Sequence, residues 1–70
     1  MMTQCERILR HLEDYGSLTQ LEAVQEYGIL RLSARIWDLR KAGHEIRQEM
    51  VTGRNRYGEK TVYASYTLES

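Results

Sequence analysis

The sequence predicts a single small α+β domain in which three helices are followed by a two-stranded β-hairpin. Up to Gly43, apolar residues recur three and four positions apart, which is the spacing of helices that bury one face. From His44 onward, apolar residues roughly alternate with polar ones, as in strands with one buried face. A chain of 70 residues supports only one compact core, because it buries about 60% of its unfolded surface. We therefore expect one domain over residues 1–70.

The first helix is predicted by Thr3 and Glu6, which have the spacing of a capping box. The Tyr-Gly-Ser run at residues 15–17 supplies a stop signal, so this helix is expected over about residues 4–15. Its apolar face is formed by Cys5, Ile8, Leu9 and Leu12. Residues 17 and 18 then form a short connector with room for no more than a minimal strand.

The second helix is predicted by another capping box, at Thr19 and Glu22. It is short, about residues 20–27, and ends at Gly28. The tight join at Gly28, with the small Ala23 allowing close approach, is typical of a helix-turn-helix, whose second helix makes the contacts. A plain three-helix bundle is the alternative, but the residues after the third helix lack a helical pattern.

The third helix is predicted over about residues 30–42 and stops at Gly43, which readily adopts a left-handed cap conformation. Its buried stripe is predicted from apolar residues at helical spacing: Ile29, Leu32, Ile36 and Leu39. Its remaining surface carries Arg31, Ser33, Ala34, Arg35, Trp37, Asp38 and Lys41. Because the folding of a small neutral domain does not require so many cations on one helix, this surface indicates an anionic partner.

The hairpin is predicted from strands over residues 44–51 and 61–68, joined by an exposed loop over residues 52–60. The loop is rich in turn-forming and basic residues. An isolated hairpin is marginally stable in water, so its apolar face must pack on the helices. The predicted core contains Leu9, Leu12, Leu32, Ile36, Leu39, Ile46, Tyr66 and Leu68.

The charges of the chain balance in number but are unevenly distributed. Residues 1–30 carry two basic and five acidic side chains, whereas residues 31–60 carry eight basic and four acidic ones. This asymmetry predicts an acidic back and a basic front that can steer a polyanion, although random scatter is an alternative. No apolar run approaches the roughly 20 residues of a membrane span, so we expect a cytoplasmic protein without a membrane partner.

Residue types that carry chemistry are scarce in this sequence. The single cysteine, Cys5, cannot form an internal disulfide and is expected to fill the core. His11 and His44 have neither metal-site spacing with Cys5 nor a nucleophile or carboxylate at a catalytic spacing. We therefore expect a protein that is not an enzyme and has no metal or cofactor.

The stretch from Gly28 to Gly43, preceded by Thr19 and Ala23 and followed by Ile46, resembles small bacterial and phage-encoded proteins of the winged helix-turn-helix superfamily. The resemblance extends over nearly the whole chain. It implies a recognition helix, about residues 30–42, in the major groove of double-stranded DNA. It also implies that the wing, residues 52–60, contacts the DNA backbone or minor groove.

Several side chains of the recognition helix have chemistry suited to base edges. Arg31 and Arg35 lie one helical turn apart, and arginine can bind O6 and N7 of guanine together. Ala34 between them allows close approach or contact with a thymine methyl group, and Asp38 can orient an arginine or accept from cytosine. The predicted DNA contacts are Arg31, Ser33, Ala34, Arg35, Asp38, Lys41, Arg54, Asn55, Arg56 and Lys60. For each of them, a solvated surface side chain is the alternative.

Two functional hypotheses follow from these features. The leading one is a double-stranded DNA-binding protein, either a small transcriptional regulator or a phage or prophage accessory factor. The alternative is a protein-interaction module with the same fold, used in phage assembly or in binding a host factor. The net charge of zero and the exposed Trp37 favour this alternative, and a homodimer is a further candidate. Trp37 is expected to pack or to contact a protein, because DNA binding does not require it.

Overall fold

A computed structural model of the chain describes residues 2–69 and shows an α+β domain with three helices and three strands. In chain order these are α1 (Gln4–Tyr15), β1 (Ser17–Thr19), α2 (Gln20–Tyr27), α3 (Leu32–Lys41), β2 (Glu45–Arg54) and β3 (Lys60–Glu69). The strands form one antiparallel sheet in the order β1-β3-β2. The predicted order of three helices before a hairpin is confirmed.

The predicted two-stranded hairpin is present, but the sheet has a third strand, because the connector after α1, where at most a minimal strand was expected, pairs with it. Residues 17–19 pair with residues 65–67 of β3, and Leu18 lies opposite Tyr66. Leu18 is completely buried, and Tyr66 is nearly so. Burial of this pair joins the base of the hairpin to the helices, which stabilises a ribbon that would be marginal alone.

The first two helices have the predicted bounds, whereas the third is shorter. Both capping boxes are formed, at Thr3 and at Thr19, with the side-chain and backbone hydrogen bonds in both directions. Gly28 adopts the left-handed conformation, with φ of 68°, and the chain then turns before α3 begins at Leu32. Ile29 is buried in this turn, so the predicted extension of the helical stripe back to Ile29 is wrong.

The hairpin has longer strands and a shorter loop than predicted. The strands pair from Glu45 with Glu69 up to Arg54 with Lys60, so only residues 55–59 form the loop. Gly53, predicted to lie in the loop, belongs to β2, where the Tyr63 ring packs so closely that a β-carbon would lie 3.1 Å from it. With ten residues in each strand, the ribbon extends beyond the helices, and the molecule measures 39 × 24 × 21 Å.

The core lies between the three helices and the base of the sheet. The buried apolar side chains are Ile8, Leu12, Leu18, Ala23, Ile29, Leu32, Ile36, Leu39, Ile46 and Tyr66. Leu9 and Leu68, predicted in the core, pack at its edge and are partly buried, as is Cys5. Met50 and Val62, two apolar residues of the hairpin strands, are exposed because the ribbon extends past the helices there.

Candidate nucleic-acid interface

The orientation of α3 follows from its three buried residues. Leu32, Ile36 and Leu39 point into the core, and successive residues of a helix are rotated by about 100°. The residues directed most nearly away from the core are therefore Ala34, Trp37 and Lys41. Trp37 is 58% exposed and Lys41 is also exposed, so the outermost ridge of the helix combines a small residue, an indole and a cation.

The N-terminus of α3 is held by a residue of α2. Its own N-cap residue, Arg31, makes no side-chain capping bond. Instead, Oε1 of Gln20 accepts a hydrogen bond from the Leu32 amide at 3.1 Å, and Nε2 of Gln20 donates to the Ile29 carbonyl at 3.0 Å. Gln20 therefore fixes both the turn and the start of α3. Sequence reasoning missed this residue, because its partners lie nine and 12 positions away and no local pattern marks them.

Arg31 and Arg35 lie together on one flank of α3. They line a shallow depression with Gln4, Gly28 and Leu30. The Arg35 guanidinium lies 3.2 Å from the Asp38 carboxylate, which is the local pair predicted from the sequence. Nε of Arg35 is buried without a hydrogen-bond partner among the described residues. The Arg35 side chain is thus partly covered and already oriented by Asp38 on the flank of the helix.

Arg40 has a structural role at the other end of the helix. Its Nε and Nη2 atoms both donate to the Ile46 carbonyl, at 3.0 and 2.7 Å. Because Ile46 belongs to the edge strand β2, this contact joins the end of α3 to the base of the hairpin. Arg40 was not among the predicted DNA contacts, and its guanidinium is occupied within the protein.

Lys41 and Trp37 contact each other on the outermost ridge of α3. The Lys41 ammonium lies 4.3 Å from the centroid of the indole ring, which is within the range of a cation–π interaction. The indole nevertheless remains 58% exposed. The ridge therefore presents an aromatic side chain with a cation packed against it.

The tip of the wing is organised by Asn55. Its Oδ1 atom accepts hydrogen bonds from the backbone amides of Tyr57 and Glu59, at 2.9 and 3.0 Å. The Arg54 guanidinium donates to the Gly58 carbonyl at 2.9 Å, and Gly58 has a φ of 78° that favours glycine. The loop is thus a hydrogen-bonded turn. Asn55 was predicted to contact DNA, and the structure places its side-chain oxygen within the turn.

The remaining polar residues predicted to contact DNA are exposed. Ser33 lies on the flank of α3 opposite to Arg35, and Arg56 is in the turn of the wing. Lys60 pairs across the hairpin with Arg54, so these two cations are neighbours at the base of the turn. Tyr57, beside Arg56, is 83% exposed. The structure therefore groups the predicted residues into a helical surface on α3 and a separate cationic wing.

The aromatic residues of α1 and α2 form a separate cluster that serves packing. His11 is buried, and its Nδ1 atom is hydrogen-bonded to the Tyr27 hydroxyl. The ring of Tyr15 packs against His11 in a tilted arrangement, with centroids 4.8 Å apart and an interplanar angle of 43°. Burial, and then the charges of Tyr15 and Glu26, raise the pKa of Tyr27. These contacts hold the two helices together.

Among residues 2–69, no group of three or more His, Cys, Asp or Glu side chains is placed to hold a metal ion. Within the same residues, no helix combines the length and the apolar character needed to cross a bilayer.

Comparison with known proteins agrees with this architecture. The family described as the winged helix-turn-helix domain matches residues 3–70. No curated protein and no solved structure matches the chain. The family match spans three helices, the turn between α2 and α3, and the hairpin. The protein therefore belongs to the winged helix-turn-helix domain family.

Proposed function

We propose that this protein binds double-stranded DNA, with α3 in the major groove and the wing on the adjacent backbone or minor groove. Winged helix-turn-helix domains generally bind DNA, which supports this function at a general level. The observation that carries the proposal is the concentration of cations on α3 and the wing, in a chain whose first 30 residues are acidic. The protein would act in the cytoplasm as a small transcriptional regulator or as a phage or prophage accessory factor.

The proposed contacts divide according to position. Arg31, Ser33, Arg35 and Asp38 line the flanks of α3, where they would face the walls of the groove and the base edges nearest to them. Lys41 lies at the end of the helix and suits a phosphate. The wing would contribute Arg54, Arg56 and Lys60 to the backbone or to a narrow minor groove, with Asn55 holding the turn.

A salt titration of binding to a duplex selected from a random pool tests this function. With about four to six phosphate contacts, log K against log salt should fall with a slope of about −4 to −5. Binding that does not respond to salt, or failure to select any duplex, would reject the proposal. A palindromic selected site would in addition indicate a homodimer, since half-site symmetry reflects the symmetry of the protein.

The same titration with Arg35→Ala tests whether α3 contributes sequence specificity. If Arg35 binds guanine in a bidentate way, its removal should cost about 1–3 kcal/mol at one base position. The matched control is Arg10→Ala, because Arg10 forms a similar arginine–aspartate pair with Asp14, at 3.0 Å, on α1 instead of α3. An equal loss of affinity in both variants would exclude a specific contact by Arg35.

The second candidate function is protein binding through the same fold, in phage assembly or with a host factor. It is favoured by the exposure of Trp37 and by the net charge of zero. In that case partner capture should persist when Arg31 and Arg35 are replaced by alanine and should be lost in Trp37→Ala. The reverse pattern would reject this candidate.

A further inference from the structure

The outermost ridge of α3 has an apolar centre. Ala34 and Trp37 are one helical turn apart, and both lie opposite to the buried residues of the helix. When a helix enters the major groove, its outermost ridge meets the base edges, whereas its flanks face the sugar–phosphate walls. In this protein, therefore, a methyl group and an indole would lie deepest in the groove.

Apart from Lys41 at the end of the ridge, the hydrogen-bonding side chains of α3 lie on its flanks. Arg35 and Asp38 are paired with each other on one flank. Arg40 is bound to the Ile46 carbonyl on the other. Neither Ala34 nor Trp37 can form a bidentate hydrogen-bonding pattern with a base, so direct recognition by these two side chains relies mainly on apolar contact.

The major groove offers one apolar group for such contact, the 5-methyl group of thymine. We propose that Trp37, with Ala34 beside it, contacts thymine methyl groups, so that α3 recognises A·T pairs at the centre of its site. This inference rests on the proposed DNA-binding function and assigns Trp37 to the DNA interface instead of to a protein interface. The indole is 58% exposed in the free protein, so this contact removes a large apolar surface from water.

Lys41 prepares Trp37 for this contact. Its ammonium lies over the indole, 4.3 Å from the ring centroid, while the Trp37 side chain as a whole is 58% exposed. Because Lys41 is one turn beyond Trp37, its charge lies toward the end of the helix, where phosphates pass. The pair therefore places a cation beside the proposed apolar contact, from where it could reach a phosphate when DNA is bound.

The test is a comparison of thymine and uracil in the duplex selected by the wild-type protein. Uracil lacks only the methyl group, so each thymine is replaced in turn and the affinity is measured for wild type and for Trp37→Ala. Wild type should lose about fourfold in affinity at one or two central positions, the equivalent of one buried methyl group at each. Trp37→Ala should bind the thymine and uracil duplexes equally at those positions.

Trp37 also offers a direct readout, because it is the only tryptophan in the chain. Its fluorescence should change on titration with the thymine duplex. Trp37→Phe, which keeps an apolar ring, should retain part of the sensitivity to uracil. Tyr15→Ala is the matched control, since Tyr15 is 74% exposed but lies on the acidic side of the molecule, and it should keep the full wild-type response. Circular dichroism confirms that each variant is folded.

The possible failures are distinguishable. If no duplex is bound, both the DNA-binding function and the role of Trp37 are rejected. If duplexes are bound with the expected salt dependence but uracil affects wild type and Trp37→Ala equally, or affects neither, only the methyl contact is rejected. A selected site without thymine near its centre would likewise reject only the methyl contact. Capture of a protein through Trp37, together with unchanged DNA binding by Trp37→Ala, would assign this side chain to a protein partner.

Discussion

The recognition helix α3 and the wing are both basic, but the protein holds them in different ways. Three buried side chains anchor α3 in the core. Gln20 hydrogen-bonds to its N-terminus, and Arg40, in its last turn, binds the Ile46 carbonyl of β2. The wing extends beyond the core, and among the described residues its hydrogen bonds are those of its own strand pairing and of the turn at residues 54–59. The orientation of α3 is therefore a property of the whole fold, whereas the shape of the wing is local.

The cationic side chains of α3 and of the wing also differ in how far neighbouring groups hold them. On α3, Arg35 is paired with Asp38, and the Lys41 ammonium rests on Trp37. On the wing, neither Arg56 nor Lys60 forms an ion pair with any described residue. Oriented side chains suit selection among sequences, and free cations suit contact with phosphates of any sequence. We therefore expect the wing to dominate the salt dependence of binding and α3 to dominate its specificity.

The largest expected effect comes from the buried face of α3. Ile36→Ala leaves a cavity in the core and should lower the free energy of unfolding by about 2–5 kcal/mol. The matched control on the hairpin is Met50→Ala, since Met50 is 61% exposed and should change stability by less than about 0.5 kcal/mol. Denaturant unfolding measures both. Similar losses of stability in the two variants would show that this part of the hairpin contributes more to the core than the exposure of Met50 indicates.

The difference between contacts within one segment and contacts between distant segments also explains which elements could be predicted from the sequence. The bounds of α1 and α2 follow from capping boxes, in which the interacting residues are three positions apart. β1 pairs with residues more than 40 positions later, and no local pattern at Ser17 and Leu18 specifies that partner. The start of α3 was placed too early because Ile29 continues the helical spacing although it packs from a turn.

The candidate site was likewise predictable in its charges but not in its contacts. The basic character of α3 and the wing is visible in the residue types alone. The contacts of Gln20 with α3 and of Arg40 with Ile46 could not be predicted, because they depend on which segments meet in the fold. Asn55 illustrates the same limit, because a turn-forming asparagine and a DNA-contacting one look alike until the turn itself is seen.

The second prediction concerns the link between α2 and α3. Gln20→Ala leaves the Leu32 amide and the Ile29 carbonyl without their partner, and both are partly buried. We expect a loss of about 1–3 kcal/mol in the free energy of unfolding. The control is Gln25→Ala, an exposed glutamine on the same helix, which should have little effect. If Gln20 positions α3, its replacement should also weaken DNA binding at temperatures where the variant is fully folded.

The smallest expected change in stability comes from the wing. Asn55→Ala removes the acceptor shared by the Tyr57 and Glu59 amides. Because these groups are exposed to water, we expect a loss of less than about 1 kcal/mol, with no effect on the helices. Hydrogen exchange should become faster at the amides of Tyr57 and Glu59, while the amides of α3 keep their wild-type protection.

DNA binding by the same variant shows whether the ordered turn matters for the function. A wing that must be preorganised should bind more weakly without Asn55 and should keep nearly the same slope of log K against log salt, since all its cations remain. Replacing Arg56 and Lys60 with alanine should instead reduce the magnitude of that slope by about two. If Asn55→Ala reduces the slope as much as removal of the cations does, the side chain itself contacts the backbone, as its sequence position first suggested. If it changes neither affinity nor slope, the wing binds as a flexible cationic loop, and the contrast with α3 is greater than the hydrogen bonds of the turn imply.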